Sequence, residues 1–97
     1  MDEAEDQKQR LDVFLFRTRF FKSRSLAADA VASSGLRLTR SDQVRRIDKP
    51  SVMTIPDDIL SFSRGKSIVT LRVVSLPYRR GPAHEAEQFY EMLSEPF

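Results

Sequence analysis

Apolar and polar positions follow two different periods along this chain, and the change falls at Gly35. Before it the period is helical. Leu11, Phe14, Leu15 and Thr18 stand at i, i+3, i+4 and i+7, which predicts a first helix over 10–18 with one buried stripe. Leu26, Ala27, Ala30 and Val31 form a second such face over 24–33, with Ser23 before it as an N-cap and Gly35 after it as a stop. The short link Arg19-Phe20-Phe21-Lys22 makes the pair a tight helix–turn–helix unit.

After Gly35 the period shortens to two. Leu36-Arg37-Leu38-Thr39 reads as a short strand and Val44 to Ile47 as another. Residues 39–48 are rich in Arg, Asp and Ser and read as an exposed loop or irregular hairpin. Pro50 and Pro56 break the next segment. Ile59 to Ser63 and Ser67 to Leu76 are the strongest strands and flank the turn signal Arg64-Gly65-Lys66. Val69, Leu71 and Val73 face one way, Thr70 and Arg72 the other. Pro77 ends this run, and Pro82 is suited to opening a last helix over 82–93, with Ala86, Phe89, Tyr90 and Leu93 as its apolar face. Glu85 and Glu87 fall near its positive end. The order of helix, helix, short strands and helix predicts an α+β domain.

The length of 97 residues fits one domain and leaves no room for a second, catalytic one. There are no cysteines, which excludes disulfide scaffolds, thiolate zinc sites, iron–sulfur clusters and cysteine nucleophiles. His84 is the only histidine, so a zinc site or serine–histidine triad would rest on one imidazole. No cofactor and no small-molecule substrate are expected. The N-terminal Met1-Asp2-Glu3-Ala4-Glu5-Asp6 is acidic with no apolar run behind it, unlike a signal peptide. The longest apolar stretches, such as Val13 to Phe16, are too short to cross a bilayer. The expectation is a cytoplasmic, monomeric chain.

The formal net charge of +2 conceals a division. Residues 1–9, polar and expected to be flexible, carry one Lys against four acids, or −3, and residues 81–97 carry four acids with no Lys or Arg, or −4. Residues 10–80 carry 15 cations against 6 acids, or +9, and 12 of those cations are Arg. A basic body is the footprint of a polyanion binder, and the Arg fork suits phosphate.

The densest cations lie in Arg17-Thr18-Arg19-Phe20-Phe21-Lys22-Ser23-Arg24-Ser25, four of them within eight residues. They straddle the end of one helix and the start of the next. A helix N-terminus offers free backbone N–H groups and a positive dipole end. Ser23 adds a hydroxyl that reads first as the helix cap and can serve as a phosphate ligand as well. Cations placed there oppose the dipole and weaken the helix unless an anion binds. Phe20 and Phe21 read as core residues locking the helix pair, with stacking on an unpaired base as the alternative.

Arg10-Leu11-Asp12, followed by Arg19-Phe20-Phe21-Lys22-Ser23-Arg24-Ser25-Leu26-Ala27, resembles the RNA-binding domain first described in small-subunit ribosomal protein four. Lys49-Pro50-Ser51 with Asp58, and Arg79-Arg80, Pro82-Ala83, Glu85-Ala86 and Tyr90-Glu91, further resemble the bacterial ribosome-associated fifteen-kilodalton heat-shock protein family. These matches span roughly residues 10–91. The resemblance implies two N-terminal helices on a small, mostly antiparallel sheet in the α-L arrangement, followed by a C-terminal helix. It divides the chain into a flexible N-terminus at 1–9, an RNA-binding domain at 10–80 and a helical extension with an acidic tail at 81–97. It implies non-catalytic binding of structured RNA, that of the large ribosomal subunit, in the rescue of stalled subunits carrying a nascent chain and its tRNA. By motif position, Arg10, Lys22, Ser23 and Arg24 face the RNA, Arg37 extends that surface, and Arg19 and Lys49 stand at its margin.

The chain departs from this pattern in places. Leu38-Thr39-Arg40 replaces the family's Val-Asn-Gly, with extra residues before Lys49, so roles within 39–48 do not transfer. Asp57-Asp58 replaces its Gly-Asp turn, which places Asp57 at positive φ. Phe14 and Phe16 replace the tryptophans of the first helix, and the long basic tail of some members is missing.

Other classes of function find less support. Asp57, Asp58 and His84 are the only groups suited to acid–base chemistry, and they read as a polar turn and a solvated imidazole. A DNA-reading helix should carry polar readers, whereas residues 26–33 are mostly Ala, Leu and Val. A protein-interaction module would dock through Phe89, Tyr90 and Leu93 of the last helix.

Overall fold

Two helices form where the apolar stripes place them: α1 over Leu11–Arg17 and α2 over Arg24–Ser34. A computed structural model describes residues 7–94. Residues 1–6, most of the expected flexible N-terminus, and residues 95–97, the end of the tail, lie outside the described residues. Leu11, Phe14, Leu15 and Thr18, the stripe read from the sequence, are all buried. α1 stops because Arg19 turns to φ +71°; the Arg19 and Phe20 amides then close on the carbonyls of Phe16 and Leu15, each at 3.0 Å. A left-handed non-glycine residue costs roughly 1 kcal/mol. Burial of Phe20 against Phe62, centroids 5.5 Å apart, and Tyr90 at 4.9 Å offsets that cost. Phe20 is thus the core residue expected from sequence. Ser23 caps α2 as expected, its hydroxyl accepting from the Leu26 amide at 3.0 Å. The buried face of α2 is narrower than its periodicity suggests. Ala27 and Val31 are buried, but Leu26 is 50% exposed on the first turn.

The sheet is antiparallel throughout. Leu36–Arg40 (β2), Gln43–Ile47 (β3), Ile59–Arg64 (β5), Ser67–Val73 (β6) and Tyr90–Met92 (β7) run in the order β3-β2-β5-β6-β7. Gln9–Arg10 (β1) and Met53–Thr54 (β4) pair separately. Gln9, expected in the flexible segment, is therefore paired with Thr54. Leu36, Leu38, Leu60, Phe62, Val69, Leu71 and Val73 alternate onto one face and meet Leu11, Phe14, Leu15 and Val31 in a single core. The fold is the expected α+β class, helices on one face of an antiparallel sheet.

Two expectations need correction. Residues 39–48 are neither a loop nor an irregular hairpin. β2 and β3 form a regular hairpin, closed by Ser41 and Asp42 at φ +52° and +64°, the left-handed pair of a two-residue type I′ turn. The C-terminal helix is shorter than 82–93. Only Ala83–Ala86 is α-helical (α3), Glu87–Phe89 is a 3₁₀ turn, and the chain then becomes β7. The free edge of β6 decides this. Val73 pairs with Tyr90, Arg72 with Glu91, and the Arg72 guanidinium donates to Glu91 Oε1 at 3.0 Å. The helical spacing of Ala86, Phe89, Tyr90 and Leu93 is matched locally by aromatic residues that suit a strand, and the tertiary edge prevails. The helix face proposed for protein docking is accordingly not formed.

Gly35 joins α2 to β2 at φ +78° and ψ 168°, a region almost confined to glycine. A Cβ there would also come within 2.8 Å of the Arg46 guanidinium. Gly35→Ala is expected to cost about 1–3 kcal/mol, read as a lower urea midpoint with an unchanged slope.

Candidate nucleic-acid interface

The first turn of α1 supplies a buried carboxylate to the helix end. Asp12 is 4% exposed. It accepts from Arg10 Nε at 3.0 Å and Nη2 at 2.9 Å, a bidentate pair, and Arg24 Nη2 lies 4.0 Å from Asp12 Oδ2. The hydrogen bond and charge of Asp12 hold the Arg10 guanidinium more firmly protonated than usual. The segment after β3 closes the same end: Val52 O accepts from the Leu11 amide at 2.9 Å and Pro50 O from the Asp12 amide at 3.2 Å. That brings Lys49 beside the start of α1. Arg10 and Arg24, distant in sequence, therefore share Asp12, and the backbone at Lys49–Pro50 closes on the same turn.

Ser23 and Lys22 complete this end. The Ser23 oxygen is committed to Leu26 N, which leaves its proton free to donate to an anion. No acid stands in the first turn of α2, and Arg24 occupies that turn instead. Lys22 is exposed and has no acidic partner among the described residues. The arrangement can seat a phosphate between backbone N–H groups, a hydroxyl and two or three cations.

The structure brings Arg19 elsewhere. Its guanidinium donates to Gly81 O at 2.9 Å, while Arg17 donates to Pro77 O at 2.9 Å. Arg80 lies 5.0 Å over the Phe16 ring and donates to Phe16 O at 3.1 Å. These arginines strap the segment after β6 across the C-terminal end of α1, where cations meet the negative end of the dipole. Of the four cations in the dense run, two hold the fold together and two, Lys22 and Arg24, stay exposed at the start of α2.

Arg37 lies on a different surface. It sits in β2 on the sheet face turned away from the helices, directly opposite Arg46 of β3 and next to Ser61 of β5. α2, 11 residues long, separates it from Ser23 by roughly 16 Å along the helix axis. Arg45, exposed and opposite Leu38, points to the helix side of the edge strand. Neither Arg45 nor Arg46 emerges from sequence reasoning as a functional residue. The available signal was the adjacent pair Arg45-Arg46 inside the strand read over Val44 to Ile47, which puts one cation on each face of the sheet.

No family model matches the chain, and no curated protein matches it in sequence. Among solved structures, Heat Shock Protein 15 of Vibrio cholerae, described as a trimer, is similar to it. The TM-score is 0.77 at 27% identity, covering 91% of this chain and 84% of that one. That likeness supports the resemblance to the fifteen-kilodalton heat-shock proteins drawn from the sequence. Among the described residues, no helix is long and apolar enough to cross a membrane.

Proposed function

We propose that this protein is a non-catalytic binder of structured RNA, that of the large ribosomal subunit, acting as a ribosome-associated heat-shock-type protein on stalled subunits that carry a nascent chain and tRNA. One observation carries the reading: Lys22, Ser23 and Arg24 stand at the N-terminus of α2, which has no acid in its first turn, and Arg10 joins them through the Asp12 carboxylate it shares with Arg24. Without an anion this placement opposes the helix dipole; with a phosphate it is favourable. The structural likeness to Heat Shock Protein 15 supports the same reading. Beyond its first turn the exposed face of α2 carries Asp29 and no cation, so the N-terminal end is the part suited to contact, which favours phosphate tracking and shape recognition over reading of base edges in a major groove. Arg37 extends the basic surface from the far side of the sheet, and Arg19 contributes through the strap rather than through a free guanidinium.

Fluorescence anisotropy over a salt series tests this, with purified large subunits, a structured ribosomal RNA fragment and duplex DNA as the three ligands. Subunits and ribosomal RNA are expected to bind more tightly than DNA, with log K falling linearly as log salt rises. Equal binding to DNA, or none to any nucleic acid at low salt, would overturn the proposal. Sedimentation of the same preparation distinguishes the expected monomer from a trimer like that of the Vibrio protein.

A further inference from the structure

The outer face of the sheet carries a cleft that the helix-end cluster does not explain. Its volume is about 400 Å³, within the usual range for small-ligand sites. Arg37 and Arg46 form one wall; Ser34, Ser61 and Ser63 contribute hydroxyls, and Ile68, 63% exposed, an apolar edge. Among the described residues, no carboxylate lines it. The two arginines are register partners on adjacent strands, and like charges set directly opposite weaken a sheet. Neither has an ionic partner among the described residues, whereas Arg10, Arg40, Arg72 and Arg79 are each paired with an acid.

Gly35 shapes the arrangement. Its missing side chain lets the Arg46 guanidinium lie across the backbone at the C-terminal end of α2. The half-negative charge there holds Arg46 in place without neutralising it. Arg37 has no such compensation, so the cleft keeps a net positive charge at its wall. Two planar forks and the serine hydroxyls match the oxygens of a phosphate group. The guanidinium planes and the Ile68 side chain offer flat and apolar surface to an attached nucleoside.

We propose that this cleft binds a phosphorylated nucleotide, either free or as one unit of an RNA strand, at a site separate from the helix-end cluster. The shared chemistry is the nucleotide phosphate, gripped by Arg37 and Arg46. The site stands or falls independently of the helix-end cluster, because the two lie at opposite ends of α2.

Amide NMR on the full chain tests it, using inorganic phosphate, AMP, adenosine and a short single-stranded RNA as probes. The amides of Gly35, Arg37, Arg46 and Ser61 are expected to shift saturably with AMP or RNA and not with adenosine. Arg46→Ala should weaken that response at least tenfold; Arg46 lies exposed on an edge strand, and dispersion of the variant's spectrum reports its fold. Arg37→Ala provides a second variant should the first unfold. A response to AMP alone assigns the site to free nucleotides, and a response to RNA alone assigns it to a strand. The Lys22→Ala, Arg24→Ala double variant should keep the cleft shifts even where it loses ribosomal RNA. The proposal is overturned if no probe moves these amides, if adenosine moves them as AMP does, or if the arginine variants respond like the parent.

Discussion

Asp58→Ala is expected to remove about 3 kcal/mol of stability, the largest effect of any single polar substitution in this fold. Asp58 is 1% exposed. It accepts from Arg40 Nε at 2.8 Å and Nη2 at 2.7 Å, from Thr54 Oγ1 at 2.9 Å and from the Ile55 amide at 2.9 Å. Truncation leaves four donors facing an apolar methyl. Breaking a buried ion pair by removing one partner costs about 3–5 kcal/mol. Arg40 is 39% exposed and can regain water, which places the cost at the lower end. A domain of this size has roughly 5–15 kcal/mol in all. The variant's urea midpoint should therefore fall by about 1–3 M. A shift below about 0.5 M would mean that Arg40 and Asp58 act as a solvated surface pair.

The same carboxyl sets a pH dependence. Burial pushes its pKa up, but hydrogen bonds from Arg40, the Ile55 amide and Thr54, with the charge of Arg40, outweigh burial and hold it below the ordinary Asp value. A carboxyl depressed in the folded state contributes stability that is fully present above its unfolded pKa of about 3.9. That contribution is lost as pH falls through the lower folded value. The parent's stability advantage over Asp58→Asn should accordingly be constant above about pH 5 and shrink below about pH 4. An advantage that grows on acidification would contradict the assignment.

The Arg40–Asp58 pair also explains which parts of the molecule were legible in sequence. The helix pair was legible because its information is local: a stripe at i, i+3, i+4, i+7, a serine cap, and a phenylalanine that comes after the turn and packs on the core. Asp57 was legible too, since a Gly-Asp turn rewritten as Asp-Asp requires positive φ at the first residue, and it sits at φ +78°. The regularity of the β2–β3 hairpin was not, although both of its strands were. Arg40 stands where the related pattern has glycine, and read alone it suggests a reshaped RNA-facing loop. Its side chain instead reaches 18 positions ahead to Asp58, a long-range bond that ties the end of β2 to the segment before β5. The C-terminal segment failed for a similar reason. A period of 3.6 over Ala86 to Leu93 was real, but the edge of β6 is invisible until the sheet is assembled. Arg19 shows the limit of motif transfer. Its position in the dense basic run is apparent in the sequence, while its engagement with Gly81 O depends on where the strap returns.

The Lys22→Ala, Arg24→Ala double variant should lose about a hundredfold in affinity for ribosomal RNA and lose none of its stability. Hydrogen bonds to charged groups contribute about 1.5–3 kcal/mol each, so the loss of each contact corresponds to at least about tenfold. The salt slope should fall in magnitude by about two, one for each phosphate no longer contacted. Stability separates this outcome from a structural one. Arg24 stands at the positive end of α2, where a cation is unfavourable by about 0.3–1 kcal/mol. Its acidic neighbour among the described residues, Asp12, is 4.0 Å away and already held bidentately by Arg10. A pair so long and so exposed contributes little. Alanine also has the higher helix propensity, so the variant should melt at or slightly above the parent temperature while binding RNA far more weakly. Lys66→Ala, at the exposed β5–β6 turn, removes a cation from elsewhere and should leave affinity nearly unchanged. Equal losses from Lys66→Ala and from either helix-end substitution would reduce the interface to net charge. A double variant that binds as tightly as the parent while folded would remove the helix end from the interface altogether.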